Sequence, residues 1–220
     1  MAVGTTPEKV GASLDAPVHG RPREASWLAR LRFWLSDRRV RFDPSKYGWP
    51  RVPDTVSWVL PTSMALITLE RAKKRGWIRG TELQNPLRLG AEIFLDRACL
   101  EVGWNDGSAI VYGVPSRPHI DATALALAAL RFHYCRPIVR NSLTWRLESI
   151  TSAYSLAWII LAAAAYKDVR ADVLPAIDIA RNRLAALFED PRAIEDTSTI
   201  ALAALALGPE GANNPFEVKL

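Results

Sequence analysis

Apolar residues along this chain recur three and four positions apart, the spacing of one face of an α-helix. In Trp27–Arg38, the residues Trp27, Leu28, Leu31, Trp34 and Leu35 make such a stripe, and Ser26 is placed to cap it. Arg39–Leu60 reads as a long loop broken by Gly48-Trp49-Pro50 and Pro53. Pro61 suits the first turn of the next helix, which runs to Arg75 and stops at Gly76. Lys73, Lys74 and Arg75 fall in its last turn, where the helix dipole favours cations. A helix opening at Asn85 or Pro86 ends near Glu101, and the loop Val102–Ile120 leads to a helix over Asp121–Tyr134. A short helix over Val139–Ser149 follows. Then come Thr151–Lys167, Leu174–Phe188 with Pro175 in its first turn, and Asp196–Leu207, stopped by Gly208-Pro209. No alternating apolar and polar run is long enough to argue for a sheet, so the pattern predicts an all-α fold.

These helices are of two kinds. Leu87–Glu101 and Leu174–Phe188 are amphipathic, whereas Asp121–Tyr134 and Thr151–Lys167 are apolar nearly all round. Alternation of the two kinds predicts two layers, with amphipathic helices outside and Ala-rich helices packed closely within. The layered unit spans residues 26–208. It is flanked by residues 1–25, a polar tail expected to be disordered, and by 209–220, a loose C-terminal tail.

The apolar helices also repeat a pattern. Three, four and seven residues beyond Thr62 stand Ala65, Leu66 and Leu69. The same offsets give Ala126, Leu127 and Leu130 from Thr123, Ala157, Trp158 and Leu161 from Tyr154, and Ala201, Leu202 and Leu205 from Ser198. Irregular intervals separate the copies, so the helices repeat while their connections vary. Gly48-Trp49 precedes the first copy and Gly103-Trp104 the second, and cap-like residues stand at Asp121, Ser152 and Asp196. A Gly-Trp loop in such a repeat pins the loop onto the core more readily than it touches a ligand.

Composition narrows the function classes. An apolar fraction of 49% is that of a folded protein. The net charge of +5 owes much to Arg21–Arg51, a solvated basic face with at most peripheral attraction to an anionic membrane. No nucleic-acid-binding motif accompanies that charge, so no nucleic-acid partner is expected. Cys99 and Cys135 are the only cysteines, which fits buried thiols in a reducing, cytoplasmic setting. Residues 1–25 lack the apolar core of a signal peptide, and the longest apolar run, Ala153–Tyr166, is too short to span a bilayer. No Cys/His set has zinc spacing and no Gly-rich phosphate loop occurs, so neither metal nor cofactor is expected.

The segment Gly103–Leu130 resembles the prenyltransferase/squalene-cyclase repeat superfamily. The segments Trp58-Val59-Leu60-Pro61-Thr62-Ser63-Met64-Ala65-Leu66 and Asp196-Thr197-Ser198-Thr199-Ile200-Ala201-Leu202 resemble further repeats of it. The likeness covers Trp27–Gly208 and implies an α/α toroid, in which inner and outer helices alternate around a central cavity. A complete toroid of this superfamily has six hairpins. About four can be traced here, which implies a partial toroid or one completed by a second copy or a partner chain. The resemblance also implies an isoprenoid lipid as ligand. Terpene cyclases of the superfamily carry a D-x-D-D-T-A motif whose middle Asp protonates an alkene. Laid on it, this chain reads His119-Ile120-Asp121-Ala122-Thr123-Ala124, keeping the middle acid alone.

On that reading Asp121 is the acid and His119 tunes it. Trp49, Trp58, Trp104, Tyr112 and Trp158 line the pocket and stabilise a carbocation by their ring faces. The simpler reading makes Asp121 the N-cap of its helix, a role that favours the ionised carboxylate and so opposes acid catalysis. A non-catalytic toroid that holds a lipid or protein partner is the alternative function. A third is carbohydrate chemistry with Asp106 and Asp121 as a carboxylate pair. Asp96, Cys99 and His133 have the residue types of a prenyltransferase zinc site but not its spacing.

Overall fold

A computed structural model describes residues 42–43, 46–53, 55–78, 83–101, 103–111, 113–131, 147, 150–166, 174–189 and 196–208. The two expected tails, the helix expected at Trp27–Arg38 and most of Val139–Ser149 lie outside the described residues, as do Tyr112, His133 and Cys135. Among the described residues the chain is mostly helical. Its elements are α1 (Val59–Lys74), α2 (Gln84–Arg97), β1 (Ile110–Val111), β2 (Val114–Pro115), α3 (Ile120–Leu130), α4 (Ala153–Ala164), α5 (Leu174–Phe188) and α6 (Thr197–Leu207). No helix among them is long and apolar enough to cross a membrane.

Neighbour contacts link α1, α3, α4 and α6 into a row: α3 packs against α1 and α4, and α4 packs against α6. Helix α2 lies against α1 and α3, and α5 lies against α4 and α6. The apolar sequences of α3 and α4 explain their central places. Every residue of α3 from Ala122 to Leu130 is buried, as is α4 from Leu156 to Ala163. A helix that is apolar on all sides is stable in water only when neighbours cover all of them, and the alanines let those neighbours approach closely. The amphipathic α5 buries Ala176, Ile177, Ala180 and Leu184 and leaves its other face wet.

Polar contacts fix the helices where apolar packing alone leaves rotation free. The Tyr166 hydroxyl, just beyond α4, donates to the Leu127 carbonyl of α3 at 2.6 Å inside the core. Arg181 on α5 donates to the carbonyls of Leu207 and Gly208 at 3.1 and 2.9 Å, satisfying the C-terminal end of α6 and complementing its dipole.

Several expectations need correction. Helix α2 ends at Arg97, not near Glu101, because Ala98 is extended and Cys99 donates its N–H to Gly103. A two-stranded antiparallel hairpin, absent from the expected all-helical pattern, pairs Ile110 with Pro115 and Val111 with Val114. The repeat offsets mark buried positions in α3 and α4 but not in α6. There Thr199, Ala203 and Ala206 are buried, whereas Ala201 and Leu205 are exposed.

Ser152 and Asp196 do cap their helices. The Ser152 hydroxyl accepts from the Ser155 N–H at 3.3 Å. Asp196 accepts from the N–H groups of Ser198 and Thr199 at 2.9 and 3.0 Å, and from both of their hydroxyls. These bonds, the Ser198 hydroxyl foremost, hold the Asp196 carboxyl at about 2, below its ordinary 3.8. A depressed carboxylate pKa contributes stability that is complete above the unfolded value and is lost as pH falls through the folded one. Asp196→Ala therefore lowers the thermal midpoint at neutral pH, and the gap from the parent closes between about pH 4 and pH 2. A gap of constant size across that range would contradict this assignment.

Candidate functional site

The loops that precede α1 and α3 are built alike. Trp58 and His119 occupy the N-cap positions of these helices, both with extended backbone. The Trp58 N–H donates to the Trp49 carbonyl at 3.1 Å, and the His119 N–H donates to the Trp104 carbonyl at 2.8 Å. Four residues into each helix stands a threonine whose hydroxyl clasps the same tryptophan's backbone. Thr123 Oγ1 accepts from the Trp104 N–H at 2.9 Å and donates to its carbonyl at 3.1 Å. Thr62 Oγ1 does the same for Trp49, at 3.0 and 3.4 Å. A hydroxyl is the smallest side-chain group that both donates and accepts, so one atom partners both backbone polar groups of the tryptophan.

The glycine before each tryptophan makes room for the threonine. A Cβ at Gly48 would lie 2.6 Å from Thr62 Cγ2, and one at Gly103 would lie 2.7 Å from Thr123 Oγ1. Gly103 also adopts φ +136°, a conformation that residues with a Cβ rarely take.

The tryptophans so held differ in depth. Trp104 is 1% exposed, its indole N–H donates to the Phe94 carbonyl of α2 at 2.6 Å, and its ring meets that of Phe94 edge-on at 6.1 Å. Trp49 is half-buried and packs against the core beside Gly90 of α2. Trp58 is half-buried, with the Arg51 guanidinium 5.2 Å from its ring centre. Trp158 is buried in α4, edge-on to Tyr154 at 6.2 Å. Tyr112 lies outside the described residues.

His119 is exposed, and it holds the N-cap position through its backbone alone, with no side-chain capping bond. Asp121 is the second residue of α3 and half-buried, so the expectation that it caps the helix is corrected. A carboxylate in a first turn still complements the positive end of the helix. Asp106 does not stand as a free partner for it, since Arg51 lies 3.6 Å from its carboxylate.

Sequence reasoning missed a buried polar cluster at the end of α2. The Asp96 carboxylate accepts the Asp43 N–H at both oxygens, 3.1 and 3.0 Å, and lies 3.4 Å from Arg97 Nε. Arg97 donates to Ser108 Oγ at 3.3 Å and stacks 4.1 Å from the Phe42 ring centre. Burial lowers the Arg97 pKa, and Asp96 counters that shift. Burial pushes the Cys99 thiol pKa up, against the smaller opposing effect of the backbone hydrogen bond from Asn105. The Asp-Arg dipeptide in an amphipathic helix carries no sign, in sequence, that both members are turned inward.

Comparison with protein-family models, curated proteins and solved structures finds no match.

The paired clasps generate a direct expectation. Thr123→Val keeps the side-chain shape but strips the buried Trp104 N–H of its acceptor, at a cost of about 1–3 kcal/mol in a denaturant titration. Thr62→Val costs less, because that clasp is only partly buried and its loop can reach water. Equal and negligible losses would show that the hydroxyls do not hold the loops.

Proposed function

We propose that this protein is a non-catalytic assembly scaffold, a partial α/α toroid whose row of apolar helices is continued by a second copy of the chain. The carrying observation is the outer face of α6. Ile200 and Leu205 are each 46% exposed, and Thr197, Ala201 and Ala204 share the exposed side at helical spacing. Helix α6 is uncharged and shares the Ala- and Leu-rich composition of α3 and α4, which are buried all round from Ala122 to Leu130 and from Leu156 to Ala163. Among the described residues it ends the row, packing against α4 and α5 alone, with one neighbour fewer than its composition calls for. Two alanines in the stripe allow a second helix to approach closely.

Three further observations support the scaffold reading over isoprenoid chemistry. Trp104 and Trp158, two aromatics a cationic pathway would need, are packed within the core. His119 points its capacity for hydrogen bonding at solvent rather than at a closed pocket. Asp121 stands alone where the superfamily's acid motif has three carboxylates.

Light scattering over a range of protein concentrations tests this reading. The intact chain is expected to associate, and Ala201→Glu/Leu205→Lys is expected to be monomeric with unchanged helical content. A chain that stays monomeric at every concentration would contradict the proposal. So would native mass spectra in which an isoprenoid-sized lipid is retained by the parent and lost in Asp121→Asn, which would return the enzyme-like reading to first place.

A further inference from the structure

At the opposite end of the row from α6, helix α1 finishes in a turn with unusual surface chemistry. Lys73, Lys74 and Arg75 are all exposed, and Arg71 is half-buried beside them. Trp77 follows, 70% exposed, the most exposed aromatic residue among those described. Ile78 is half-buried next to it. Glu70, half-buried, is the acidic residue of this stretch, and the basic run continues in sequence at Arg79. On the facing start of α2, Arg88 is engaged by Glu92 and by Asn85.

The turn is rigid. Gly76 takes the left-handed conformation, φ +68°. The Trp77 N–H donates to the Ala72 carbonyl at 2.9 Å, and the Gly76 N–H donates to the Lys73 carbonyl at 3.0 Å. This pair of hydrogen bonds closes the helix and sets where Trp77 leaves it. The Arg75 guanidinium sits 5.0 Å from the Trp77 ring centre and props the indole beside the cations.

Last-turn cations by themselves need no explanation beyond the helix dipole. An indole left 70% exposed beside them does, since exposing it forfeits the burial that usually places tryptophan inside. An amphipathic ring among lysines and arginines matches the headgroup layer of an anionic bilayer. There the ring finds an interface that is partly apolar, and the cations find phosphate charge. A single-stranded nucleic acid offers phosphates too, but its bases stack on a run of aromatic rings along a basic groove, and the described residues here present one exposed ring.

We propose that the α1–α2 turn, Lys73 to Ile78, is a docking site for a lipid bilayer carrying anionic headgroups, with Trp77 inserting at headgroup depth. It is independent of the association proposed for α6.

Vesicle flotation of the full chain tests it, using phosphatidylcholine vesicles with and without phosphatidylglycerol. Binding is expected to the anionic vesicles alone and to weaken with salt. Trp77→Ala should weaken it roughly tenfold. Lys73→Ala/Lys74→Ala/Arg75→Ala should weaken it roughly a hundredfold and flatten the salt dependence. These side chains are exposed, so circular dichroism should be unchanged. Arg117→Ala, at an exposed cation in the loop before α3, should bind like the parent. Equal binding to both vesicle types, no binding to either, or an Arg117→Ala loss as large as that at the turn would overturn the proposal. So would polyuridylate binding that fails in the turn variants while vesicles remain unbound, which would make this a nucleic-acid surface.

Discussion

A single threonine hydroxyl, donating to a tryptophan's backbone carbonyl and accepting from the same residue's N–H, recurs at the starts of α1 and α3. Backbone polar groups that enter a core need partners, because water is no longer there to supply them. Serine offers the hydroxyl without the methyl that fills the space beside glycine, and valine offers the shape without the hydrogen bonds. The glycine, the tryptophan and the threonine thus form one device. Once Trp104 is clasped, its ring reaches the core and its indole N–H ties α2 to the loop through Phe94. The clasp, more than helix propensity, sets how α1, α2 and α3 meet.

The second half of the row is organised differently. Helices α4 and α6 begin with side-chain caps, Ser152 and Asp196, and among the described residues neither shows a clasp. Their positions depend on apolar packing, on Tyr166 reaching the α3 backbone, and on Arg181 closing the end of α6. The four apolar helices therefore fall into two pairs. In the clasped pair the threonine stands four residues after the N-cap position, whereas Tyr154 and Ser198 stand two after theirs. Helix α4 is buried nearly all round, so the offset leaves no trace there, whereas in α6, which buries one face only, it puts Ala201 and Leu205 on the exposed side.

What can be read in the sequence is local, and what cannot is set by contacts distant along the chain. Leu174–Phe188 is legible to its boundaries because its apolar period, its proline and its length agree. The caps at Ser152 and Asp196 are legible because capping chemistry needs only the next three residues. The end of α2 is not, since Ala98-Cys99-Leu100 continues the apolar run and no breaker appears before Gly103. Two-residue strands carry no period at all, so the hairpin at Ile110–Pro115 has no signal. The Gly-Trp pairs and the matching threonines are visible as a repeat, but the hydrogen bonds that join them across the loop are not. For the candidate site, residue types give Asp121 and His119 their interest, while depth and surroundings are properties of the folded chain. Trp77 carries no signal either, since sequence alone does not tell an exposed tryptophan from a buried one.

The scaffold proposed here needs its helices held at fixed spacing, and the Trp104 clasp is where that requirement is most concentrated. Hydrogen exchange at the Trp104 backbone amide measures it without altering the protein. If Thr123 holds that N–H within the core, the amide exchanges only through global unfolding, as slowly as amides in the middle of α3. Exchange at the rate of an ordinary surface loop, with α3 still protected, would contradict a fold organised around this bond.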